Sequence, residues 1–410
     1  MVHGTTEDIK TIYPILDDEL NYAVGMFVGL AIGDAMGAPI EFQEAREPLH
    51  YIRRYKEGGF HNVSKGEFTD DTSMALAMAD AFIKAGGFDA HLVMDNFLKW
   101  KNEGAYSPRG EMFDCGDTVH KALRKYEQDK SNPFTGSTDP MSAGNGGLMR
   151  LAPAILAARS EARAIEFAAE TTRLTHGAEE ALMYSRLLAK ELWRRQPDAE
   201  AKRYKHRKNV RRNEVMSGGY VKETYQAAWW AYQTSDSFER CIINAINRGH
   251  DSDTTGAVAG MIAGAMYGFN AIPKWMVEQL QWVDEIIFQA VRLTLGRTAF
   301  HQWLEGCLFS FDAYQGELKS VFGRKAVCIN PEANYGGGSR QLWAVRGIAA
   351  QLTLKMLDEQ KGYIRGRCLD IDESTLAIEF KIDASRANIS KCKTLCLNLG
   401  EIGRYDFNCY

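Results

Sequence analysis

The stretch Tyr22-Ala23-Val24-Gly25-Met26-Phe27-Val28-Gly29-Leu30-Ala31-Ile32-Gly33-Asp34-Ala35-Met36-Gly37 carries a glycine at every fourth position, and Gly256, Gly260, Gly264 and Gly268 repeat the pattern later in the chain. That period places each set along one helical face, where a neighbouring backbone can come close. A glycine inside a helix costs roughly 0.5–1 kcal/mol relative to alanine, so close packing or access for a ligand has to offset it. Gly33 and Gly37 flank Asp34 and lead into Pro39 and Glu41, so the first helix must end there in a loop. From about Leu20 to Leu308, windows rich in Ala, Leu, Met, Glu and Lys, with few prolines and little period-two alternation, predict an all-α domain.

Two short acidic clusters, Phe68-Thr69-Asp70-Asp71-Thr72 and His250-Asp251-Ser252-Asp253-Thr254-Thr255, each run straight into a helical stretch. Carboxylates beside threonine hydroxyls are hard oxygen donors that suit magnesium or manganese rather than zinc, and ligands from two distant helix starts can share a two-metal site. At a loop-to-helix junction Asp70 and Asp71 can both turn toward one ion while Thr69 adds a hydroxyl. The spacing of Asp251 and Asp253 lets alternate side chains of an extended segment converge. The plainer alternative is N-capping, since Asp and Thr satisfy free amides at a helix start. Four converging carboxylates would repel one another strongly, however, and two divalent ions about 3.5–4 Å apart would neutralise them.

The chain has 410 residues, is 45% hydrophobic and carries a formal net charge of −4. This allows a large core and gives no global pull toward nucleic acid or an anionic membrane. Met1 to Leu20 lacks the basic start and apolar run of a signal peptide. The most apolar stretch, Ala257 to Phe269, is about 13 residues long against the ~20 needed to span a bilayer. The cysteines are scattered without a CxxC pair, which indicates neither a zinc knuckle nor a disulfide framework. A cytoplasmic protein without nucleic-acid or membrane partners is expected. The basic run Ala201 to Asn213 reads as a solvated loop or helix face.

After about residue 315 the character changes. Asn334 to Ser339 reads as a flexible connection, and Trp343 to Leu357 as an amphipathic helix. Leu376, Ile378, Phe380 and Ile382, like Leu395, Leu397 and Leu399, alternate as in strands. The expected organisation is an N-terminal extension over 1–20, a helical domain over 21–315 and a small α+β appendage over 316–410.

Ser142-Ala143-Gly144-Asn145-Gly146-Gly147-Leu148-Met149-Arg150, ahead of the helical run Leu151 to Arg159, is a glycine-rich loop able to present amides to a phosphate. Thr175-His176 is a ligand contact or a packing pair. Taken in order with Gly33-Asp34-Ala35-Met36-Gly37-Ala38-Pro39-Ile40-Glu41, the two acidic clusters and Phe113-Asp114-Cys115-Gly116-Asp117, these motifs resemble those of the ADP-ribosylglycohydrolases over roughly residues 21–310.

The resemblance implies an all-α orthogonal helical bundle with a binuclear magnesium or manganese centre in a cleft that binds ADP-ribose. It makes Thr69, Asp70, Asp71, Asp251, Asp253 and Thr254 the metal ligands. It sets Glu41 beside the metals and the ribose C1″ as an acid/base or water-orienting group. Gly144, Asn145, Gly146 and Gly147 would hold the diphosphate, Asp114 and His176 would line the distal ribose side, and Asp117 belongs to the same binding set. Glu41, Asp70 and Asp253 are the residues expected to carry catalysis. Two departures from bacterial relatives, Asp117 in place of asparagine and His250 in place of glycine, bear on the orientation of the ribose and the width of the entrance.

The implied reaction is metal-dependent removal of ADP-ribose from a modified protein side chain, with arginine the first-choice acceptor and ADP-ribose the product. The alternative is an immunity-type protein that binds and blocks an ADP-ribosylating toxin, with or without hydrolysis. Deleting 316–410 or the N-terminal extension would then abolish complex formation while hydrolysis survives. A catalytically silent relative fits less well, because it would be free to lose the six ligands.

Overall fold

The glycine-bearing stretch forms helix α1, Asp18–Gly37, in a computed structural model that describes residues 18–197, 214–283 and 285–296 and the backbone of strand segments between 319 and 409. The runs Ala201–Asn213 and Asn334–Ser339 and the extension before residue 18 lie outside the described residues. These residues fall in two compact units, one ending at Gly296 and the other beginning at Arg297.

The first unit continues with α2 (Asp70–Ala85), α3 (Ala90–Glu103), α4 (Asp117–Gln128), α5 (Ala152–Ala157), α6 (Glu161–Arg173), α7 (Glu179–Arg194), α8 (Val221–Gln233), α9 (Phe238–Ile246), α10 (Ser252–Tyr267), α11 (Lys274–Gln279) and α12 over 285–296. Among its described residues it has no strand beyond isolated bridges. Helix starts follow local chemistry: Asp89, Ser160 and Ser237 each accept a hydrogen bond from an amide of the first turn.

Helix α1 is buried from Ala23 through Gly37, as a helix apolar on every side must be. By length and composition Asp18–Ile40 could cross a membrane, yet its apolar 18-residue window is wholly buried inside the protein. Ala257 to Phe269, expected to be the most apolar stretch, is thus shorter than this one; α1 is apolar all round because it has neighbours all round.

Its glycine face meets the glycine face of α10 in antiparallel register. A Cβ on Gly25, Gly29 or Gly33 would collide with the carbonyl of Gly264, Gly260 or Gly256, and one on Gly37 with the backbone of Ser252 and Asp253. The two backbones therefore touch, and the end of α1 lies against the start of α10. Helices α8 and α9 pack on α10, α2 on α3 and α6 on α7.

In the second unit the described residues are strands. One sheet has the order β1 (Lys319–Val321), β2 (Arg324–Cys328), β3 (Trp343–Val345), all antiparallel. The other is β7 (Thr394–Asn398), β6 (Ala377–Ile382), β5 (Lys361–Ile371), β4 (Ala349–Lys355), β8 (Asp406–Cys409), also antiparallel. The alternations at 378–382 and 395–397 fall in β6 and β7 as expected. The helix expected over Trp343–Leu357 is not found; β3 and β4 occupy that span. β4, next to the edge, pairs with β5 on one side and β8 on the other, and such pairing overrides a weak local helical pattern.

Candidate active site and metal centre

The contact of α1 with α10 decides where the two acidic clusters meet. Asp34, one turn from the end of α1, is fully buried and caps α2 from a distance. It accepts from the backbone N and Oγ1 of Thr69, both at 2.9 Å, and from the backbone N and Oγ1 of Thr72 at 3.0 and 2.6 Å. Burial pushes its carboxyl up to about 6, against the pull of these four donors. Because Asp34 serves the α2 start, Asp70 and Asp71 are released from capping.

Neither Thr69 before α2 nor Asp251 before α10 makes a side-chain cap hydrogen bond. The Thr254 amide and hydroxyl still draw on Asp251, so capping accounts for part of the second cluster and does not account for Asp70, Asp71 or Asp253. Thr69 Oγ1 lies 3.4 Å from Asp71 Oδ2 and 3.4 Å from Asp253 Oδ2, and Thr254 Oγ1 lies 3.5 Å from Asp71 Oδ2. Hydroxyls from the two helix starts thus interleave with each other's carboxylates.

Asp34, Asp71 and Asp253 each offer an oxygen within 4.8 Å of the others, as do Asp70, Asp114 and Asp253, and Glu41, Asp251 and Asp253. Asp253 belongs to all three groups. Desolvation first, and the neighbouring carboxylates second, hold Asp70, Asp71 and Asp253 well above the usual carboxylate range. Asp71 Oδ1, Asp253 Oδ1 and Glu41 Oε2 are buried without a hydrogen-bond partner. Buried anionic oxygens with no donor are costly unless a cation meets them, so this all-oxygen donor set fits hard divalent ions.

Beside this cluster lies Glu41. Pro39 opens the single turn Ala38–Ile40 after α1, and Glu41 closes it. Its Oε2 is 3.1 Å from His61 Nε2, which is 3.5 Å from Asp114 Oδ2. Burial, then Asp251 and Asp34, push Glu41 up to about 8. Burial and Glu41 push Asp114 up to about 7, with His61 opposing.

The sequence profile of the ADP-ribosylglycohydrolases matches residues 16–299. The chain belongs to the ADP-ribosylglycohydrolase family. It is 34% identical over 305 residues to the ADP-ribosylarginine hydrolase Tri1 of Serratia proteamaculans, covering 69% of this chain and 80% of that one. Against the ADP-ribosyl-[dinitrogen reductase] glycohydrolase of Rhodospirillum rubrum it is 32% identical over 272 residues, 63% of this chain and 90% of that one. A solved ADP-ribosylglycohydrolase-related protein complex has a chain that superposes with a TM-score of 0.58 at 33% identity, covering 68% of this chain and 99% of that chain. The helical bundle expected of this family is the observed fold of the first unit.

Other family motifs are placed differently from expectation. In the glycine loop the amides of Gly144 and Asn145 donate to Ser142 O and Gly219 O, so they do not face a phosphate. Among the described residues the amides of Gly146 and Gly147 have no protein acceptor. The Asn145 side chain instead donates to Asp251 Oδ2 at 2.7 Å and to Thr224 Oγ1 at 2.8 Å, tying the loop to the α10 start. His176 is buried beneath the loop: Cβ atoms on Gly144 and Gly146 would meet its ring, and its Nδ1 pairs with Thr175 Oγ1 at 2.9 Å. Burial and Arg150 push its imidazole down to about 3. It is a neutral support for the loop.

Asp117 stands at the exposed start of α4, paired with Lys121 four residues on. It is not drawn into the acidic cluster. Its position is set by the helix start, where a carboxylate favours the positive end of the dipole. His250 is half-exposed, with its ring 3.9 Å from Glu44, and holds φ 53°.

Three residues escaped the sequence analysis. Asp34 lay inside a quoted motif, and its signal was an acid embedded in an all-apolar helix. Arg150 ends the glycine loop; it is fully buried, its Nη2 donates to Thr175 Oγ1 at 2.6 Å, and its guanidinium lies over Phe97. Burial pulls it down to about 10 while Asp70 and Asp71 sustain its charge. His61 lies in a loop and has no periodic signal at all.

Proposed function

We propose that this protein is a divalent-metal-dependent hydrolase that frees ADP-ribose from arginine side chains of proteins by cleaving the bond at the ribose C1″. The observation that carries this is the convergence of buried, donor-less carboxylate oxygens from two helix starts beside Glu41. The arginine linkage rests on the similarity to proteins named ADP-ribosylarginine hydrolase.

Thr69, Asp70, Asp71, Asp251, Asp253 and Thr254 would hold two Mg²⁺ or Mn²⁺ ions. When bound, such a pair supplies Lewis-acid chemistry, lowering the pKa of water and clamping ribose hydroxyls. The chain's own residues do the rest. Hydrolysis breaks C1″–N, adds water oxygen to C1″ and returns a proton to the leaving guanidine nitrogen through an oxocarbenium-like transition state. With its carboxyl raised toward neutrality, Glu41 can carry that proton and, once ionised, take one from the attacking water. Asp114 and His61 keep its carboxylate in place. Gly146 and Gly147, whose amides are not used within the loop, would offer them to the diphosphate.

The test is to incubate the protein with arginine-, serine- and nucleic-acid-linked ADP-ribose, with divalent cation and with chelator. Release from the arginine conjugate only when cation is present is the expected result. Turnover in chelator would remove the metals from the reading. Cleavage of the serine conjugate alone would change the acceptor.

A further inference from the structure

Next to Glu41 the surface turns aromatic. Phe42 holds φ 61°, a left-handed backbone that bulky residues seldom adopt. It is pinned there from the far side: Phe42 N donates to His250 O and His250 N to Gln43 O, both at 2.7 Å. The effect is to display the ring, which is 61% exposed. Phe60, 74% exposed, meets it edge-to-face with centroids 5.0 Å apart. Phe60 also meets the His61 ring at 5.0 Å, and His61 touches Glu41.

A single exposed apolar side chain is ordinary. Two adjoining rings, one on a strained backbone, leading through a third ring to a proton-handling carboxylate, are not; strain of this kind gathers at ligand sites. The titratable side chains nearby are acidic, Glu41 and Asp114 within and the exposed Glu44 outside. Aromatic faces beside carboxylates suit a planar, weakly hydrated cation.

We propose that Phe42 and Phe60 form the acceptor subsite, receiving the guanidinium and adjoining peptide of the ADP-ribosylated arginine and holding the leaving group against Glu41. This rests on the arginine reading above. Contacts of this type change binding by a few-fold to about thirtyfold.

The experiment uses the full chain with divalent cation, an arginine-linked ADP-ribosyl peptide and free ADP-ribose. Wild type is compared with the double variants Phe42→Ala/Phe60→Ala, Phe42→Leu/Phe60→Leu and Phe42→Tyr/Phe60→Tyr. In the alanine pair KM for the peptide should rise about five- to thirtyfold with a smaller change in kcat, while the Kd of free ADP-ribose, which also reports folding, stays within about twofold. The tyrosine pair should restore KM and the leucine pair should not. An unchanged KM in the alanine pair, an equal loss of ADP-ribose affinity, or full rescue by leucine overturns the subsite while leaving the arginine reading intact. If the wild type leaves the arginine peptide uncut, both fall together.

Discussion

Asp70, Asp71 and Asp253 occupy the floor of the site, on the starts of two helices whose backbones are fixed by the glycine contact and by Asp34. Glu41 and Asp114 occupy its rim, on irregular backbone, with Phe42 at φ 61° and Asp114 itself at φ 51°. Both regions crowd carboxylates together, but they deal with the charge differently. On the floor Asp71 Oδ1 and Asp253 Oδ1 have no hydrogen-bond donor, as Glu41 Oε2 on the rim has none. On the rim a side chain of the protein, His61, comes between the two acids. The floor's oxygen donors fit hard divalent ions, and the rim sets a histidine between two acids.

The sharpest way to break this comparison is Asp253→Ala. Hydrolysis should fall by at least about a thousandfold, as when a group stabilising transition-state charge is removed, and the rise in Tm on adding Mg²⁺ or Mn²⁺ should vanish. Turnover near wild type would show that the floor does not serve the chemistry. Glu41→Gln should lower kcat by about 10²–10⁴, the range of a lost general acid or base, yet keep the cation-induced rise in Tm. If that rise disappears too, Glu41 belongs to the floor.

His61→Ala should reduce kcat by roughly tenfold, the scale of a lost close contact with a charged group, and His61→Gln should recover part of it through its side-chain N–H. Equal loss in both variants would reduce His61 to a filler.

A smaller effect is expected on stability. Glu41, Asp114 and Asp34 are held up at about 8, 7 and 6, whereas carboxyls of the unfolded chain release protons at about 4. Between these values the folded state binds more protons than the unfolded one, so stability falls as pH rises. The contribution is intact below about pH 4 and is lost progressively up to about pH 8. Chelated protein should thus melt lower at pH 8 than at pH 5, and divalent cation should flatten that slope. A Tm that climbs across this range in chelator would contradict the burial of uncompensated acids. The least change is expected from Asp117→Asn: its carboxylate is exposed on Lys121, so kcat/KM should stay within about twofold. A larger drop would bring Asp117 to the ligand.

The acids of both regions were named from the sequence, and the side chain that joins the two rim acids was not. Paired acids with threonine at the start of a helix are a local pattern, and the residues expected as ligands there are the ones the fold brings together. At the rim, Glu41 was found through its motif, but His61 comes from a loop with no periodicity to mark it. The glycine loop shows the same limit from another side. Its composition suggested a run of free amides, yet Gly144 and Asn145 spend theirs on Ser142 and Gly219, and the Asn145 side chain braces Asp251. Trp343 to Leu357 had a pattern that suits an amphipathic helix, yet 343–345 pairs with β2 and 349–355 with β5 and β8.

The sequence by itself determined the helical class, the glycine spacing and the hard-oxygen donor types, because each depends only on residues close together in the chain. Tertiary structure alone decided that the two glycine faces meet each other and so bring the clusters to one place. It also decided that Asp34 takes over the capping of α2 and frees Asp70 and Asp71, and that His61 stands between Glu41 and Asp114. Those outcomes depend on which distant backbone can approach within van der Waals contact and on which donor reaches a buried carboxylate first.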